Sequence, residues 1–69
     1  MGLVWISSYV IRGADKSFYV TYNDKLIKIS DNFVKLFKIQ ESDLIEGWVD
    51  EELDILVSID AINGNFIVI

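Results

Sequence analysis

Sixty-nine residues make one domain, 1–69, and leave no room for a second. With neither cysteine nor histidine, the chain has no disulfide, thiolate nucleophile or imidazole base, and no ordinary set of zinc ligands. A net charge of −5 and a hydrophobic content of 52%, with eleven isoleucines, describe an acidic domain held together by a dense apolar core, by association, or by both.

Residues 3–12, Leu-Val-Trp-Ile-Ser-Ser-Tyr-Val-Ile-Arg, are rich in β-branched and aromatic types and read as a strand. Gly13 to Lys16 form a turn, and residues 17–22 a second strand. Asn23-Asp24 tolerate the left-handed backbone of a tight hairpin, so residues 25–29 return as a third strand. Ser30 has the side chain of a helix N-cap, with Ile29 and Val34 placed as a hydrophobic staple. Phe33, Leu36, Phe37 and Gln40 follow at three- and four-residue spacing, which predicts a helix with Lys35 and Lys38 facing outward. Residues 42–46 read as one more helical turn, with Ser42 as its cap and Gly47 as its stop. Residues 53–62 read as a long strand, with Leu53, Ile55, Val57, Ile59 and Ala61 on one face. Asn63-Gly64 is a strong hairpin signal that would pair Ala61 with Phe66 and Ile59 with Val68. The expected fold is α+β: a small antiparallel sheet of about five strands, β-β-β-α-β-β, with one main helix packed on it.

The residues argue against catalysis. The glycines, at 2, 13, 47 and 64, are too scattered for a phosphate loop, and Ser7, Ser8 and Ser58 have no basic partner of known geometry. No metal site and no cofactor are expected. No stretch approaches the roughly 18 apolar residues of a membrane span. Residues 1–11 lack a secretory pattern, and Ile6 stands where myristoylation needs Ser or Thr. A soluble, cytoplasmic protein is expected, made by a cell or by a virus within one.

Charge is divided along the chain. Residues 1–40 carry six basic and three acidic groups, whereas residues 41–69 carry eight acidic groups and no basic one. Seven carboxylates, Glu41, Asp43, Glu46, Asp50, Glu51, Glu52 and Asp54, fall within fourteen residues. Such a run commonly serves as a solvated face. Its order is not that of a calcium loop. Held in a fixed row, it could instead imitate the phosphates of a nucleic acid and occupy the groove of a nucleic-acid-binding protein. Direct nucleic-acid binding is not expected, because the whole-molecule charge repels phosphate.

Two resemblances accompany these readings. Residues 32–47 resemble the helical segment of PAS sensor domains: Phe33, Leu36, Phe37, Leu44, Ile45 and Gly47 match in order, with Lys38 where that family prefers glycine and Glu46 as one extra residue. The resemblance implies a small-ligand sensor. Ile39-Gln-Glu-Ser-Asp and Asp54-Ile-Leu-Val, with the acidic stretch between them, look like the phage inhibitors of uracil-DNA glycosylase. In that family helices precede strands, whereas here strands come first. The resemblance implies an acidic mimic of DNA.

The leading expectation is a small acidic binding protein that regulates or inhibits a larger protein. Glu46, Asp50, Glu51, Glu52 and Asp54 would carry the contact, with Trp48 as the apolar anchor. The alternative is a structural homo-oligomer whose interface is the apolar side of the last strands, Ile62, Ile67 and Ile69. A PAS-like ligand sensor is a third reading.

Overall fold

The structure is a computed structural model that describes residues 2–68. It is a small α+β fold of two antiparallel sheets and one short helix. The chain runs β1 (Leu3–Tyr9), β2 (Ile11–Arg12), β3 (Phe18–Tyr22), β4 (Lys25–Lys28), α1 (Asp31–Phe37), β5 (Leu44–Asp50), β6 (Ile55–Ile62) and β7 (Asn65–Phe66). One sheet has the order β1-β5-β6-β7 and the other β2-β3-β4.

The expected first strand is two strands. Val10, which is buried, lies between them and bonds through its backbone to Ser42 and Asp43. The chain therefore leaves one sheet at Tyr9 and enters the other at Ile11. Ser8 sits beside this crossing. Its Oγ accepts from the Thr21 N–H at 3.1 Å and donates to the Tyr9 carbonyl at 3.2 Å, which ties β1 to β3. No ladder joins these strands, so this hydroxyl links the two sheets by hydrogen bonds that the backbone alone does not make.

Both tight hairpins form where Asn-Asp and Asn-Gly stand. Asn23 and Asp24 have φ of 50° and 61°, and Tyr22 pairs with Lys25. Asn63 and Gly64 have φ of 53° and 81°, and Ala61 pairs with Phe66. Two consecutive positive values are what a two-residue hairpin turn of this hand requires. The second hairpin is short: β7 ends at Phe66.

Ser30 caps α1, accepting from the Phe33 N–H at 3.2 Å. Lys38 closes the helix in a left-handed conformation, φ 53°, at the position where glycine is favoured. Phe33, Val34 and Phe37 are partly buried against the core, but Leu36 is exposed, so the helix packs by a narrower stripe than its spacing predicts.

The largest departure follows the helix. Residues 44–50 are not a helical turn but β5, the strand between β1 and β6. Ile45, Gly47 and Val49 face inward and are buried, while Leu44, Glu46, Trp48 and Asp50 alternate outward. Gly47 lies inside the strand. A Cβ there would collide with the Ser58 carbonyl of β6, so only glycine lets the two backbones approach. Register shifts flank this position, between Glu46 and Gly47 and between Trp48 and Val49. They break the alternation of β6: Leu56 and Ile59 are buried, while Ile55 and Val57 face solvent. The strand also starts later than expected, because residues 51–54 form a turn.

The core lies between the sheets. Ile6, Val10, Val20, Ile27, Ile29, Ile39, Ile45, Val49, Leu56 and Ile59 form one buried cluster. Burial of side chains this size contributes roughly 1.5–3 kcal/mol each, which lets a chain without cysteine fold.

Candidate functional site

The side of the four-stranded sheet turned away from the core is the candidate site. Trp5 of β1 and Trp48 of β5 are direct cross-strand partners. Their rings meet edge to face at 5.3 Å and 73° and stay 44% and 38% exposed. Along β1, Leu3 and Tyr9 flank Trp5 on the same face and are exposed. Ser58 lies opposite Trp48 on β6, with exposed Val57 and Ile55 beside it. On β7, Phe66 stands opposite Ala61 and is 79% exposed. The outer face is therefore aromatic and aliphatic, crossed by a few polar groups.

Glu46 and Asp50 lie on this face, two positions to either side of Trp48, so three of the six residues expected to carry a partner contact share one surface. Glu46 is partly buried opposite Ser7 and makes no hydrogen bond or ion pair among the described residues. Asp50 accepts from the Glu52 and Leu53 N–H groups at 3.0 and 3.2 Å, which shapes the turn into β6. Glu51, Glu52 and Asp54 stand in or at the end of that turn. Glu51 accepts from the Tyr22 hydroxyl at 3.2 Å, and Asp54, with φ 54°, pairs with Lys25 at 3.4 Å. Partial burial first, and then the Glu51 carboxylate, raise the Tyr22 hydroxyl above its ordinary 10.0.

The acidic run does not form one row. Asp43 accepts from the Gln40 N–H and from Asn63 Nδ2 at the start of β5, whereas Asp50 to Asp54 lie at its far end. At roughly 3.3 Å per strand residue the two groups are about 23 Å apart. The two halves of the charge pattern meet within the chain: Arg12 lies 3.6 Å from Glu41, and Lys25 bridges to Asp54. No three carboxylates converge closely enough to hold a metal ion among the described residues.

Ile62 and Ile67, expected at an oligomer interface, are partly buried and pack against the core. Ile62 pairs with Ile45, an inward position, because the bulges shift β6 out of strict alternation. Ile69 lies outside the described residues. The exposed apolar side chains of this hairpin are Phe66 and Val68 instead. Trp5 and its neighbours were not singled out from the sequence. Both faces of β1 are largely apolar, and only the pairing with β5 decides that Trp5 faces Trp48.

A shallow, open hollow of about 520 Å³ lies where β4, the start of α1 and the start of β6 come together, lined by Lys28, Ser30, Asp31, Ile55 and Leu56. Phe33 and Phe37, the centre of the sensor-domain resemblance, do not line it, and the second part of that segment, 44–47, is strand. Among the described residues no helix is long and apolar enough to cross a membrane. Comparison with known protein families, characterised proteins and solved structures finds no match to this chain.

Proposed function

We propose that this protein works by binding a larger protein, which it regulates or inhibits, and that the outer face of the four-stranded sheet is its contact surface. One observation carries the reading: a tryptophan pair stands open on a sheet face whose opposite side already supplies the core. Contiguous exposed apolar surface of this kind marks interaction sites, and tryptophan is the side chain most concentrated at their energetic centres. Glu46 and Asp50 flank the anchor as polar neighbours. Glu51, Glu52 and Asp54 act mainly on the adjoining turn, with a secondary place at the rim. A chain without histidine or cysteine suits binding better than catalysis. Its lack of cysteine makes a reducing, cytoplasmic setting part of the same proposal.

The test is capture of partners from lysate by the native protein and by a Trp5→Ser, Trp48→Ser double variant whose circular dichroism is unchanged. Loss of a specific partner, at least tenfold in apparent affinity, is expected from removing two central aromatic contacts. Retention of every partner would sink the proposal.

A second reading is assembly of identical copies. The exposure of Leu3, Tyr9, Phe66 and Val68 favours it, since two copies could cover such groups mutually. Sedimentation equilibrium separates the readings: a monomer at hundreds of micromolar leaves only the first.

A further inference from the structure

We infer that the partner segment received by the tryptophan face is cationic and carries arginine beside aliphatic side chains. The inference rests on the reading of that face as the contact surface and adds the chemistry of its occupant. Charge is its basis. The strands β1, β5, β6 and β7 contain Glu46, Asp50 and Asp60 and no lysine or arginine. All six basic residues lie elsewhere: Arg12 on β2, Lys16 in the following turn, Lys25 and Lys28 on β4, Lys35 in α1 and Lys38 at its cap. The linear polarity of the sequence is thus a polarity between sheets, and the apolar face sits on the negative one.

Glu46 sharpens the point. It is half sunk into the face, two residues from Trp48, and no cation among the described residues answers it. The other carboxylates at the ends of β5 are engaged: Asp43 and Asp50 hold turns, Glu41 faces Arg12, and Asp54 faces Lys25. A partly desolvated carboxylate beside an open indole is the environment in which a guanidinium gains twice. Its plane stacks on the ring while its N–H groups reach the carboxylate. Lysine offers a point charge without that planar fit.

The same charges disfavour other occupants. A second copy docked face to face by a twofold axis would bring Glu46 and Asp50 of both copies into one interface, with no basic residue on either strand set to offset them. Phosphate backbones and anionic lipid surfaces meet the same repulsion.

The test is an NMR titration of the full chain, labelled with ¹⁵N, against three ten-residue peptides that alternate leucine with arginine, with lysine or with glutamate. The arginine peptide is expected to bind saturably and roughly two- to fivefold more tightly than the lysine peptide, the gain of a planar, forked guanidinium over a point charge. Its shifts should centre on the Trp5 and Trp48 indole N–H groups and the Ser7 and Glu46 amides. Glu46→Gln, an outward change that keeps shape, should lower the arginine peptide's affinity several-fold. Equal binding of the arginine and glutamate peptides, shifts confined to residues 51–54, or a twofold dimer formed through the tryptophans would each overturn the inference. If the tryptophan variant loses its cellular partner while arginine is not preferred, only the cationic occupant fails. If partner capture ignores the tryptophans, the contact surface fails with it.

Discussion

Ser8 is a small polar residue in an apolar strand, and its hydroxyl does what the backbone of β1 does not. It satisfies the Thr21 N–H and so fastens β3 to β1. Ser8→Ala should cost about 1–2 kcal/mol, since it removes the hydroxyl's bonds to Thr21 and Tyr9 and leaves the partly buried Thr21 N–H without a partner. Urea unfolding measures the loss, and faster exchange of the Thr21 amide should accompany it. An unchanged midpoint would show that water replaces the hydroxyl fully. On the surface, Asp15 accepts from the Tyr19 hydroxyl at 2.8 Å and from the Ser17 N–H at 3.0 Å. The tyrosine bond first, and then the amide, hold its carboxyl below the ordinary 3.8, while the same carboxylate raises Tyr19 above 10.0. A depressed acid stabilises above its unfolded value and stops doing so as pH falls through the folded one. A raised tyrosine stabilises below its unfolded value and stops as pH rises through the folded one. The pair therefore acts fully between about pH 4 and 10. Carbon-detected titration should place the Asp15 midpoint below 3.8, with Tyr19→Phe moving it upward; a native midpoint at or above 3.8 contradicts the assignment.

Among the elements, β5 decides the architecture, and Gly47 decides β5. Any side chain at 47 must displace the Ser58 carbonyl and the β6 bulge beside it. Gly47→Ala is expected to destabilise by about 2–3 kcal/mol, at the upper end of overpacking costs, because the obstacle is backbone and cannot rotate away. A thermal or denaturant midpoint within error of the native one would show that β6 yields. The same residue explains how far the elements were legible. The Asn-Asp and Asn-Gly turns and the Ser30 cap follow from local chemistry, and each appears where its residues stand. Residues 42–47 misled because glycine after a short acidic and apolar run reads as a helix stop, and the close approach that needs glycine is a fact about β6, not about neighbours in sequence. For the candidate site, Trp48, Glu46 and Asp50 were legible as aromatic and charged residues in close order. Trp5 was not, because its partner lies 43 positions away in the chain.

At the scale of the molecule, a radius of gyration of 11.0 Å matches the roughly 11 Å of a well-packed chain this length. Cohesion comes from the shared core and not from the charges. The ion pair of Lys25 with Asp54 is exposed on both sides. Lys25→Ala should change stability by less than about 0.5 kcal/mol, which chemical denaturation at low salt can check; a loss well above 1 kcal/mol would mean that the pair braces the turn.

The bent strand through Val10 also sets an order of events during synthesis. Among the described residues β1 has its ladder only with β5, so Leu3 to Tyr9 stay without that ladder until residues 44–50 have left the ribosome. Until then a seven-residue segment, Leu-Val-Trp-Ile-Ser-Ser-Tyr, without charge or proline, is open to neighbours on the same messenger. The β3–β4 hairpin and α1 are complete by that point. Closure of β5 onto β1 then pairs residues far apart in the chain, a long-range step of the kind that is slow and exposes nascent chains to aggregation.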